Sequence, residues 1–477
     1  MLKNNKTKYD AIIIGAGISG LVCGCYLARS GMKVLIIEQH DKPGGYCTSF
    51  KRKGFTFDAA AHCFGGYRKD GITRKVFDNL EIDKKIKIKQ YNPSNIIITP
   101  DSKVSIWADL NETIENFQTI FPEESDNIKG FFNCLINADH SFFSQLRSWT
   151  FKNLLDNFFH NDKLKAILSA PLLGFLGLPP SLMSAFVGAR LFTEYILDGG
   201  YHPEGGMQAL PDALTKIFKE FGGELRLSCL VKKIKIKNDK IAGVFLDDSD
   251  LISSKYIISN CDARQTFFKL VGKERLKEKF YHKIKTMTPS MSNFILYLGL
   301  DGYFESLPEH GTTYCFLKDY NLYKSYQTIQ KGDFENFEGH MLRVLRDTST
   351  LLSIIPAPHK NKRFWDNNKH KITESLVDKI ETYTIPNLSK HIIYKDAATP
   401  HTLNRYTLNY KGASYGWAGI PSQLAVPDMR KPSFVEGLYL TGHWTTLGVG
   451  ISGVVYVAHD TAKMILRKER GKFTESL

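Results

Sequence analysis

The sequence contains few cysteines, and their arrangement excludes two classes of protein. Only 8 of the 477 residues are cysteine, too few in so long a chain for the disulfide framework of a small secreted protein. No CxxC pair occurs, and the 14 histidines show no HExxH or other zinc-site spacing. We therefore expect no metal site, and we expect Cys23 and Cys25 to be small packing residues in a reducing cytoplasm.

Long apolar runs are also scarce, and the N-terminus lacks the pattern of a secretory signal. The exception is the segment 166–189, which contains no charged residue. Pro171, Pro179 and Pro180 interrupt it, so we predict two short apolar helices around a Pro-Pro turn rather than a membrane span. The segment is either a buried helical hairpin or the wall or mouth of an apolar tunnel that dips into a bilayer interface.

Acidic residues are the scarcer charged type. The chain has 49 of them against 63 lysines and arginines, a net charge of +14. This surplus fits a solvated surface and equally fits attraction to an anionic membrane. No helix-turn-helix, zinc or RNA-binding motif accompanies it, so we expect no nucleic-acid partner. The sequence thus predicts a cytoplasmic protein, peripheral at most on the inner face of the membrane.

The first fifty residues carry the most informative motif. An apolar run at 9–14 predicts a buried strand, a glycine-rich turn follows at 15–20, and a second apolar run at 34–37 ends in Glu38. Strand, glycines, helix, strand and acid in this order form the fingerprint of a dinucleotide-binding βαβ unit. The fold class predicted here is therefore α/β, with a Rossmann-like nucleotide-binding domain.

Each element of that fingerprint has a physical role. The first glycine allows a tight turn, the second lets the backbone approach a pyrophosphate, and the third lets the helix pack closely on the strand. The acid accepts hydrogen bonds from a ribose, and the helix N-terminus offers N–H groups to the phosphates. We therefore predict dinucleotide contacts at Gly15, Gly17, Ile18, Ser19, Gly20 and Glu38.

A second glycine pair, Gly44 and Gly45, follows Pro43 shortly after Glu38. The pattern strand–GxGxxG–helix–strand–Glu–x₄–PGG resembles the FAD-binding end of the flavin amine oxidase superfamily. Within it, the chain is most similar to the family of phytoene desaturases, carotenoid isomerases and retinol saturases. The resemblance implies FAD as the cofactor and implies that this glycine pair contacts it.

Further blocks that resemble this family are spread from about residue 9 to about residue 466: 201–210, 229–234, 257–262, 398–417 and 437–442. In the family, the second block meets the adenine and the last leads to the flavin. The resemblance therefore implies that Val231 lies beside the adenine and that Gly442 lies near the flavin.

A second literal GxGxxG occurs at 448–453, where it suggests a further nucleotide site. No strand ending in an acid follows it, as the fingerprint requires. We therefore predict the start of a helix, Val454 to Leu466, whose N-terminal amides face the flavin or its ribityl-phosphate arm. This interpretation assigns Gly450, Ile451 and Gly453 to the cofactor and implies no stable NADPH site.

The resemblance also divides the chain. We predict a discontinuous FAD-binding domain made of residues 1–75, 198–268 and 405–477. The intervening residues, 76–197 and 269–404, would then form an inserted α+β substrate-binding domain.

Four side chains are candidates for a part in the chemistry. His62 follows the predicted strand at 55–58, where the family brings the chain beside the flavin, and it either donates a proton or is structural. His443 follows Gly442 and either tunes the flavin or the substrate end. Tyr415 and Trp417 either pack beside an extended polyene or the flavin ring, or are core aromatics. No nucleophile is required, because the isoalloxazine carries the redox chemistry.

The resemblance implies an FAD-dependent oxidoreductase that acts on an apolar, conjugated or isoprenoid-like lipid by hydride transfer at flavin N5. Desaturation, saturation and cis-trans isomerisation remain open. One alternative is an amine-oxidase- or protoporphyrinogen-oxidase-like flavoenzyme. Another is a non-catalytic lipid-binding escort protein, which would not need the three glycines and Glu38 that this chain has.

Overall fold

The structure is a computed structural model, and it describes residues 8–138, 140–246, 251–424, 429–432, 434–445 and 450–470. The first two residues of the second glycine motif, Gly448 and Val449, lie outside the described residues. Within the described residues, no helix combines the length and the apolarity that a membrane span requires.

The strands, in chain order, are β1 (Lys8–Ile14), β2 (Val34–Ile37), β3 (Ser49–Arg52), β4 (Phe55–Asp58), β5 (Ile88–Tyr91), β6 (Asn95–Ile98), β7 (Lys103–Ile106), β8 (Gly200–Pro203), β9 (Glu224–Arg226), β10 (Lys233–Lys237), β11 (Lys240–Phe245), β12 (Leu251–Ser259), β13 (Ser292–Leu300), β14 (Thr313–Leu317), β15 (Gly339–Leu345), β16 (Thr350–Ala357), β17 (Ile392–Ala398) and β18 (Leu438–Leu440).

The helices are α1 (Ile18–Arg29), α2 (Ile72–Asn79), α3 (Leu110–Ile120), α4 (Ser125–Ile136), α5 (His140–Gln145), α6 (Phe151–Asp156), α7 (Asp162–Leu176), α8 (Ala185–Leu191), α9 (Ala209–Glu220), α10 (Glu278–Thr286), α11 (Leu322–Lys331), α12 (Lys362–Tyr383), α13 (Pro400–Thr407), α14 (Pro421–Leu424) and α15 (Gly450–Arg470). Two π-helical segments, Phe192–Leu197 and Gln265–Gly272, supplement them.

The predicted Rossmann-like unit is the first of two seven-stranded sheets in the described residues. Its parallel part has the order β9-β2-β1-β12-β18, and the hairpin β10-β11 pairs antiparallel with the first residues of β12. β1 and β2 are buried on both faces, as expected of central parallel strands. Helix α1 crosses between them, with Cys23 and Cys25 fully buried in it as packing residues.

The second sheet has the order β17-β13-β16-β15-β14-β6-β7, antiparallel except between β14 and β6. Helix α12 packs on one of its faces and α7 on the other. This mixed architecture agrees with the predicted α+β character of the inserted part. The residue boundaries that the sequence predicted for the two domains stay a prediction.

The uncharged segment 166–189 forms a helical hairpin that is mostly buried. Helix α7 continues through Pro171, so the expectation that this proline breaks the helix is wrong. Pro171 has no N–H and so removes one hydrogen bond from the helix. The other backbone hydrogen bonds of α7 and the burial of the helix keep this turn helical. Pro179 and Pro180 form the predicted turn, and Leu182, with 36% of its surface exposed, is the segment's exposed large apolar side chain.

The C-terminal helix also differs from its predicted bounds. Helix α15 begins at Gly450, four residues before the predicted Val454, and runs on to Arg470. The residues assigned to the cofactor from the second glycine motif therefore lie in the first turn of this helix rather than ahead of it. Small residues there permit close contact: a Cβ at Gly450 would lie 2.8 Å from Cζ of Tyr195.

Close packing of α1 on β1 depends on Gly20. A Cβ at this position would overlap the carbonyl oxygen of Gly15, which is backbone and cannot move aside cheaply. We predict that Gly20→Ala lowers the free energy of unfolding by about 1–3 kcal/mol, the usual cost of overpacking, measured by thermal or denaturant unfolding.

Gly130 provides the control for that prediction. It lies exposed in α4, and a Cβ there would meet nothing closer than 4.0 Å. Gly130→Ala should leave stability unchanged or raise it by up to about 1 kcal/mol, because alanine favours a helix. Equal unfolding temperatures for the two variants would contradict the assigned role of Gly20.

Candidate functional site

A cavity of about 520 Å³ opens at the carboxyl end of the parallel strands, between the two sheets. Ligands of open α/β sheets bind at this edge. Among the residues that line the cavity are five of those assigned to the cofactor from the sequence: Gly15, Gly17, Glu38, Gly45 and Val231. The structure thus brings together, at one cavity, positions that are more than 200 residues apart in the chain.

The carboxylate of Glu38 is oriented by two backbone donors. Its Oε2 accepts a hydrogen bond from the N–H of Ala16 at 2.7 Å, and its Oε1 accepts one from the N–H of His40 at 2.9 Å. A carboxylate has about four acceptor positions, so both oxygens retain the capacity to accept from a ribose. The side chain lines the cavity and fits its predicted role.

The two glycine loops pack directly on each other. The N–H of Gly44 donates to the carbonyl of Ala16 at 2.9 Å, and a Cβ at Gly45 would lie 3.4 Å from the Cα of Gly17. Gly15, Gly44 and Gly45 all have positive φ angles, which side-chain-bearing residues rarely adopt. The result is a wall of bare backbone that a pyrophosphate can approach.

Asn260 completes this wall and was missed as a site residue. It follows β12, lines the cavity, and donates from Nδ2 to the carbonyl of Gly15 at 3.3 Å. A Cβ at Gly17 would lie 3.0 Å from the same Nδ2, and a Cβ at Gly442 would overlap its Oδ1. Its position at the carboxyl end of a strand beside β1 was the available signal.

Ile18 and Ser19 are not among the residues that line the cavity. Ile18 is buried, and the Ser19 hydroxyl pairs with Thr441 Oγ1 at 2.6 Å and donates to the Val454 carbonyl at 3.0 Å. The Ser19 side chain therefore joins α1 to the end of β18 and to α15. Only the backbone of these two residues is placed to serve a phosphate.

The segment around Val231 is irregular, and the next strand, β10, begins at Lys233. The segment is fixed by Cys229, whose N–H donates to the carbonyl of Glu38 at 2.9 Å. Val231 is buried and gives the cavity an apolar wall on the side where Glu38 also lines it. An adenine ring fits such a wall.

The first turn of α15 contacts the segment Phe192–Leu197. The hydroxyl of Tyr195 accepts a hydrogen bond from the N–H of Ser452 at 3.0 Å. One helix-terminal donor is therefore used within the protein. Gly442, Gly450, Ile451 and Gly453 are not among the residues lining the 520 Å³ cavity, and their contact with the cofactor stays a prediction.

His62 lies two residues beyond Ala60, which lines the cavity, and it lines a separate small cavity with Asp58 and Arg343. Its Nδ1 is 3.3 Å from the carbonyl oxygen of Ala60, which lines the cavity, and its ring is stacked 6.3 Å from that of Phe175 in α7. Its carbonyl accepts a hydrogen bond at 2.5 Å from Nη1 of Arg343, a buried residue of β15. The histidine therefore joins the cavity to the apolar hairpin.

Cys63 is a second residue that sequence reasoning missed. Burial alone would raise the pKa of its thiol, but Arg343 and His62 outweigh that effect and hold the pKa at about 7. By contrast, burial raises the pKa of Cys23, Cys261 and Cys315 to about 12. The sequence shows the Cys63–His62 neighbours, but the arginine that acts on them is 280 residues away.

His443 has an apolar environment. Burial lowers the pKa of its ring to about 4, so the imidazole is neutral at physiological pH. Its ring centroid lies 5.9 Å from that of Tyr46, which lines the cavity. A neutral imidazole there can donate or accept one hydrogen bond without adding charge.

Tyr415 and Trp417, predicted together, separate in the structure. Tyr415 packs against the cluster around α7, and burial raises the pKa of its hydroxyl. Trp417 lies edge-on to Trp444, with centroids 4.8 Å apart, and donates from Nε1 to the Trp444 carbonyl at 3.0 Å. Its neighbours identify it as a core aromatic.

Within the described residues, no group of three or more histidine, cysteine, aspartate or glutamate side chains is arranged to hold a metal ion. The chemistry of the donor set is instead that of a dinucleotide site. The Glu38 carboxylate, the glycine loops without side chains, the apolar side chain of Val231 and the amide of Asn260 all line one cavity.

Comparison with known proteins agrees with this donor set. The chain is 25% identical to a 4,4'-diapophytoene desaturase of Methylomonas sp, over 97% of this chain and 96% of the relative. It is 25% identical to a carrot (Daucus carota) prolycopene isomerase, over 94% and 78%, and 24% identical to an all-trans-retinol 13,14-reductase of Danio rerio, over 96% and 86%.

Solved structures share the fold at low identity. An oxidoreductase from Methanosarcina mazei superposes with a TM-score of 0.67 at 17% identity, covering 95% of this chain and 99% of that one. Cyclohexylamine oxidase from Brevibacterium oxydans superposes with 0.63 at 14% identity, covering 97% and 100%. These likenesses show the α/β FAD-binding fold alone.

The profile of the flavin-containing amine oxidoreductases matches residues 18–466, nearly the whole chain. The match begins at the first helix of the nucleotide-binding unit and ends in α15, so it includes every strand of both sheets except β1. The chain therefore belongs to the family of flavin-containing amine oxidoreductases, and it is an FAD-dependent oxidoreductase.

Proposed function

We propose that the protein oxidises, reduces or isomerises an apolar, conjugated or isoprenoid-like lipid by hydride transfer at flavin N5. The observation that carries this proposal is the apolar hairpin that lies close to the cavity wall. The cavity presents the Glu38 carboxylate and bare glycine backbone. His62, two residues after the lining residue Ala60, stacks on Phe175 of the buried hairpin that contains α7. An extended apolar chain matches that hairpin.

FAD would be held by the residues already described. We assign the pyrophosphate to Gly15 and Gly17, the adenosine ribose to Glu38, and the adenine to Val231, with Gly45 and Asn260 closing the wall. When bound, the flavin supplies the hydride acceptor or donor. The protein's own residues position the lipid, keep water out and handle the accompanying proton.

Relatives differ in their named reactions, so the direction of electron flow stays open. The names of the three relatives include a desaturase, an isomerase and a reductase. An amine substrate, as in the amine oxidases of similar fold, is the alternative that the next experiment tests.

The test of substrate class uses the purified flavin-containing protein and the compounds named for its relatives: diapophytoene, prolycopene and retinol. A change in polyene absorbance, with lipid products identified by mass spectrometry, supports the proposal. Oxidation of cyclohexylamine together with no conversion of any polyene would instead establish the amine-oxidase alternative.

A membrane-facing surface is part of this proposal. Trp149 and Leu182 are exposed on two loops joined by backbone hydrogen bonds, from Lys152 to Pro180 and from Phe151 to Met183. The exposed Lys152 lies beside them and pairs with Asp156. Exposed tryptophan and leucine together are typical of surfaces that rest on a bilayer.

We predict that Gly17→Val folds but carries no flavin. The φ of Gly17 is −68°, which valine tolerates, yet the new side chain would enter the pyrophosphate wall beside Asn260. The measurement is the flavin absorbance of the purified protein together with its unfolding temperature. Gly130→Val, on the exposed face of α4, is the control and should retain flavin. Full flavin occupancy in Gly17→Val would refute the pyrophosphate assignment.

We predict that His62→Ala and His443→Ala keep FAD and slow turnover by no more than about 10²–10⁴-fold, the usual contribution of a positioned acid or base. The carbonyl that His62 offers to Arg343 is backbone and survives the substitution. Exposed His370, substituted likewise, serves as the control. A stable covalent adduct of lipid with either histidine would show a different mechanism.

We predict that Leu182→Glu and Trp149→Glu each weaken binding to anionic phospholipid vesicles by about tenfold, since burying an apolar side chain of this size contributes about 1.5–3 kcal/mol. Vesicle sedimentation measures this. Ile393→Glu is the control, because Ile393 is 64% exposed on β17, the edge strand of the second sheet. Equal losses in all three variants would argue against a specific surface.

A further inference from the structure

A second cavity, of about 80 Å³, lies between α7, α11, the end of β14 and the start of β15, and we call it the α7 cavity. Among the residues that line it, Lys318 and Lys324 are exposed at the surface. Leu173 of α7 and Met341 of β15 also line it, and both are buried. The α7 cavity therefore leads from the surface into the apolar cluster that contains the uncharged segment 166–189.

The charged side chains of the α7 cavity are paired with one another. Lys318 forms an ion pair with Glu338 at 2.5 Å. Lys324 forms one with Asp319 at 3.2 Å. Among the described residues that line the cavity, these four are the only aspartate, glutamate, lysine and arginine side chains, and burial lowers the pKa of His340 to about 3. An ionic head group would find no excess of opposite charge there, so the α7 cavity suits a neutral ligand with an apolar chain.

The α7 cavity and the small cavity beside His62 lie on the same face of β15 and β16. Met341 and Ile354, which are paired across the two strands, line the α7 cavity. Arg343 and Leu352, the next pair on that face, line the small cavity. Side chains two residues apart in a strand point to the same side of the sheet. The two cavities are therefore consecutive along one face of the sheet, the face on which α7 packs.

Together the two cavities cover a length suited to an extended lipid chain. Gly339 lines the α7 cavity and Leu345 lines the small cavity. They are six positions apart on β15, a distance of about 20 Å at about 3.3 Å per residue. His62, which lines the small cavity, stacks on Phe175 of α7 and lies two residues after Ala60 of the 520 Å³ cavity. A chain that filled both cavities would therefore extend from the surface to the edge of the proposed cofactor site.

Met341 closes the path between the two cavities. Its side chain packs on Gly174 of α7, where a Cβ would overlap the methionine sulfur. The small cavity measures only about 10 Å³, the space of a single water molecule, so a lipid chain can pass only when side chains move. Methionine is unbranched and has three rotatable bonds, and the facing glycine has no side chain to restrain it. Met341 is therefore well suited to open and close this path.

We propose that a neutral lipid enters the protein through the α7 cavity, lies along β15 and β16 beneath α7, and reaches the cofactor site when Met341 moves aside. This inference rests on the proposed function. It adds the route of the substrate and a narrower substrate class, an uncharged lipid with an extended apolar part about 20 Å long. Met341 then limits the arrival of the lipid and takes no part in the chemistry.

The first experiment maps bound lipid without turnover. The flavin-containing protein is mixed with a neutral long-chain alcohol that carries a diazirine within its chain, irradiated and digested, and the labelled peptides are identified by mass spectrometry. We expect label on the segments 170–174 and 339–341, which line the α7 cavity. Label found only on the segment 397–409, which lines the 520 Å³ cavity, would overturn the route.

The corresponding fatty acid tests whether the ligand is neutral. It carries the same chain and the same diazirine, but its carboxylate is ionised at pH 7. Because the lysines of the α7 cavity are already paired, the acid should label the two segments about tenfold less than the alcohol does. Equal labelling by the alcohol and the acid would contradict the assigned ligand class.

Two substitutions in α11 test the entrance. Ser325 lines the α7 cavity, so Ser325→Trp would place a large ring in it. Gln327 is exposed on the same helix and does not line the cavity, so Gln327→Trp is the matched control. Excluding about two methylene groups weakens lipid binding about tenfold, and labelling by the alcohol should fall by that factor in Ser325→Trp alone. Equal labelling of the two variants would show that the lipid takes another route.

Substitution of Met341 tests the closing side chain. If the path is open in about a tenth of the molecules, Met341→Ala raises kcat/KM for a converted polyene about tenfold and leaves the flavin absorbance unchanged. Met341→Leu, which has nearly the same volume, should stay close to wild type. If Met341→Ala fails to fold, Met341→Val removes less volume and gives the same comparison. A folded small-residue variant with wild-type kcat/KM would overturn the role of Met341.

These outcomes separate the two levels of inference. Polyene conversion together with label outside the α7 cavity overturns the route and leaves the proposed function standing. Label in the α7 cavity of a protein that oxidises only amines overturns the proposed function, and with it the assignment of the lipid as substrate.

Discussion

At the carboxyl edge of the parallel sheet, segments of backbone without side chains pack directly on one another, and the rest of the structure depends on these contacts. Gly20 lets α1 approach the Gly15 carbonyl, and Asn260, at the end of β12, bonds to that same carbonyl. Gly442 lies against the same asparagine side chain from β18. Strands from the beginning, middle and end of the chain can meet here only because so few side chains intervene.

The segment that leads from β4 to His62 depends on a second set of contacts, made by buried polar groups. Asp58, at the end of β4, pairs with His202 at 2.8 Å and accepts from the N–H of Met207 at 2.8 Å. The His202 hydrogen bond lowers the pKa of the Asp58 carboxyl against the opposing effect of burial. Asp58 thereby fixes the chain four residues before His62. The position of His62 thus depends on a buried hydrogen-bonded pair next to it in the fold.

How much of the site the sequence predicts depends on the distance between the cooperating residues. The fingerprint from Gly15 to Glu38 is local, because each residue's role follows from the strand or helix next to it, and the cavity contains it as expected. Asn260 and Arg343 act across the fold, and the latter is 281 residues from the carbonyl it contacts. Nothing in the composition around β15 indicates that one of its residues meets His62.

The same reasoning explains why Tyr415 and Trp417, two positions apart, have different environments. The left-handed φ of Gly416 and its contact with the His443 backbone turn the chain between them. One aromatic ring consequently packs towards α7 and the other towards Trp444. Two aromatic residues of one sequence block can therefore have different environments, because a single glycine changes the direction of the chain between them.

The surroundings of His62 combine buried polar contacts with an apolar neighbour. The small cavity beside it is lined by both Asp58 and Arg343. Each of these side chains is tied to another group of the protein, because Asp58 pairs with His202 and Arg343 donates to the His62 carbonyl. These contacts fix the backbone of the segment, and the imidazole ring is left to stack on Phe175 of α7.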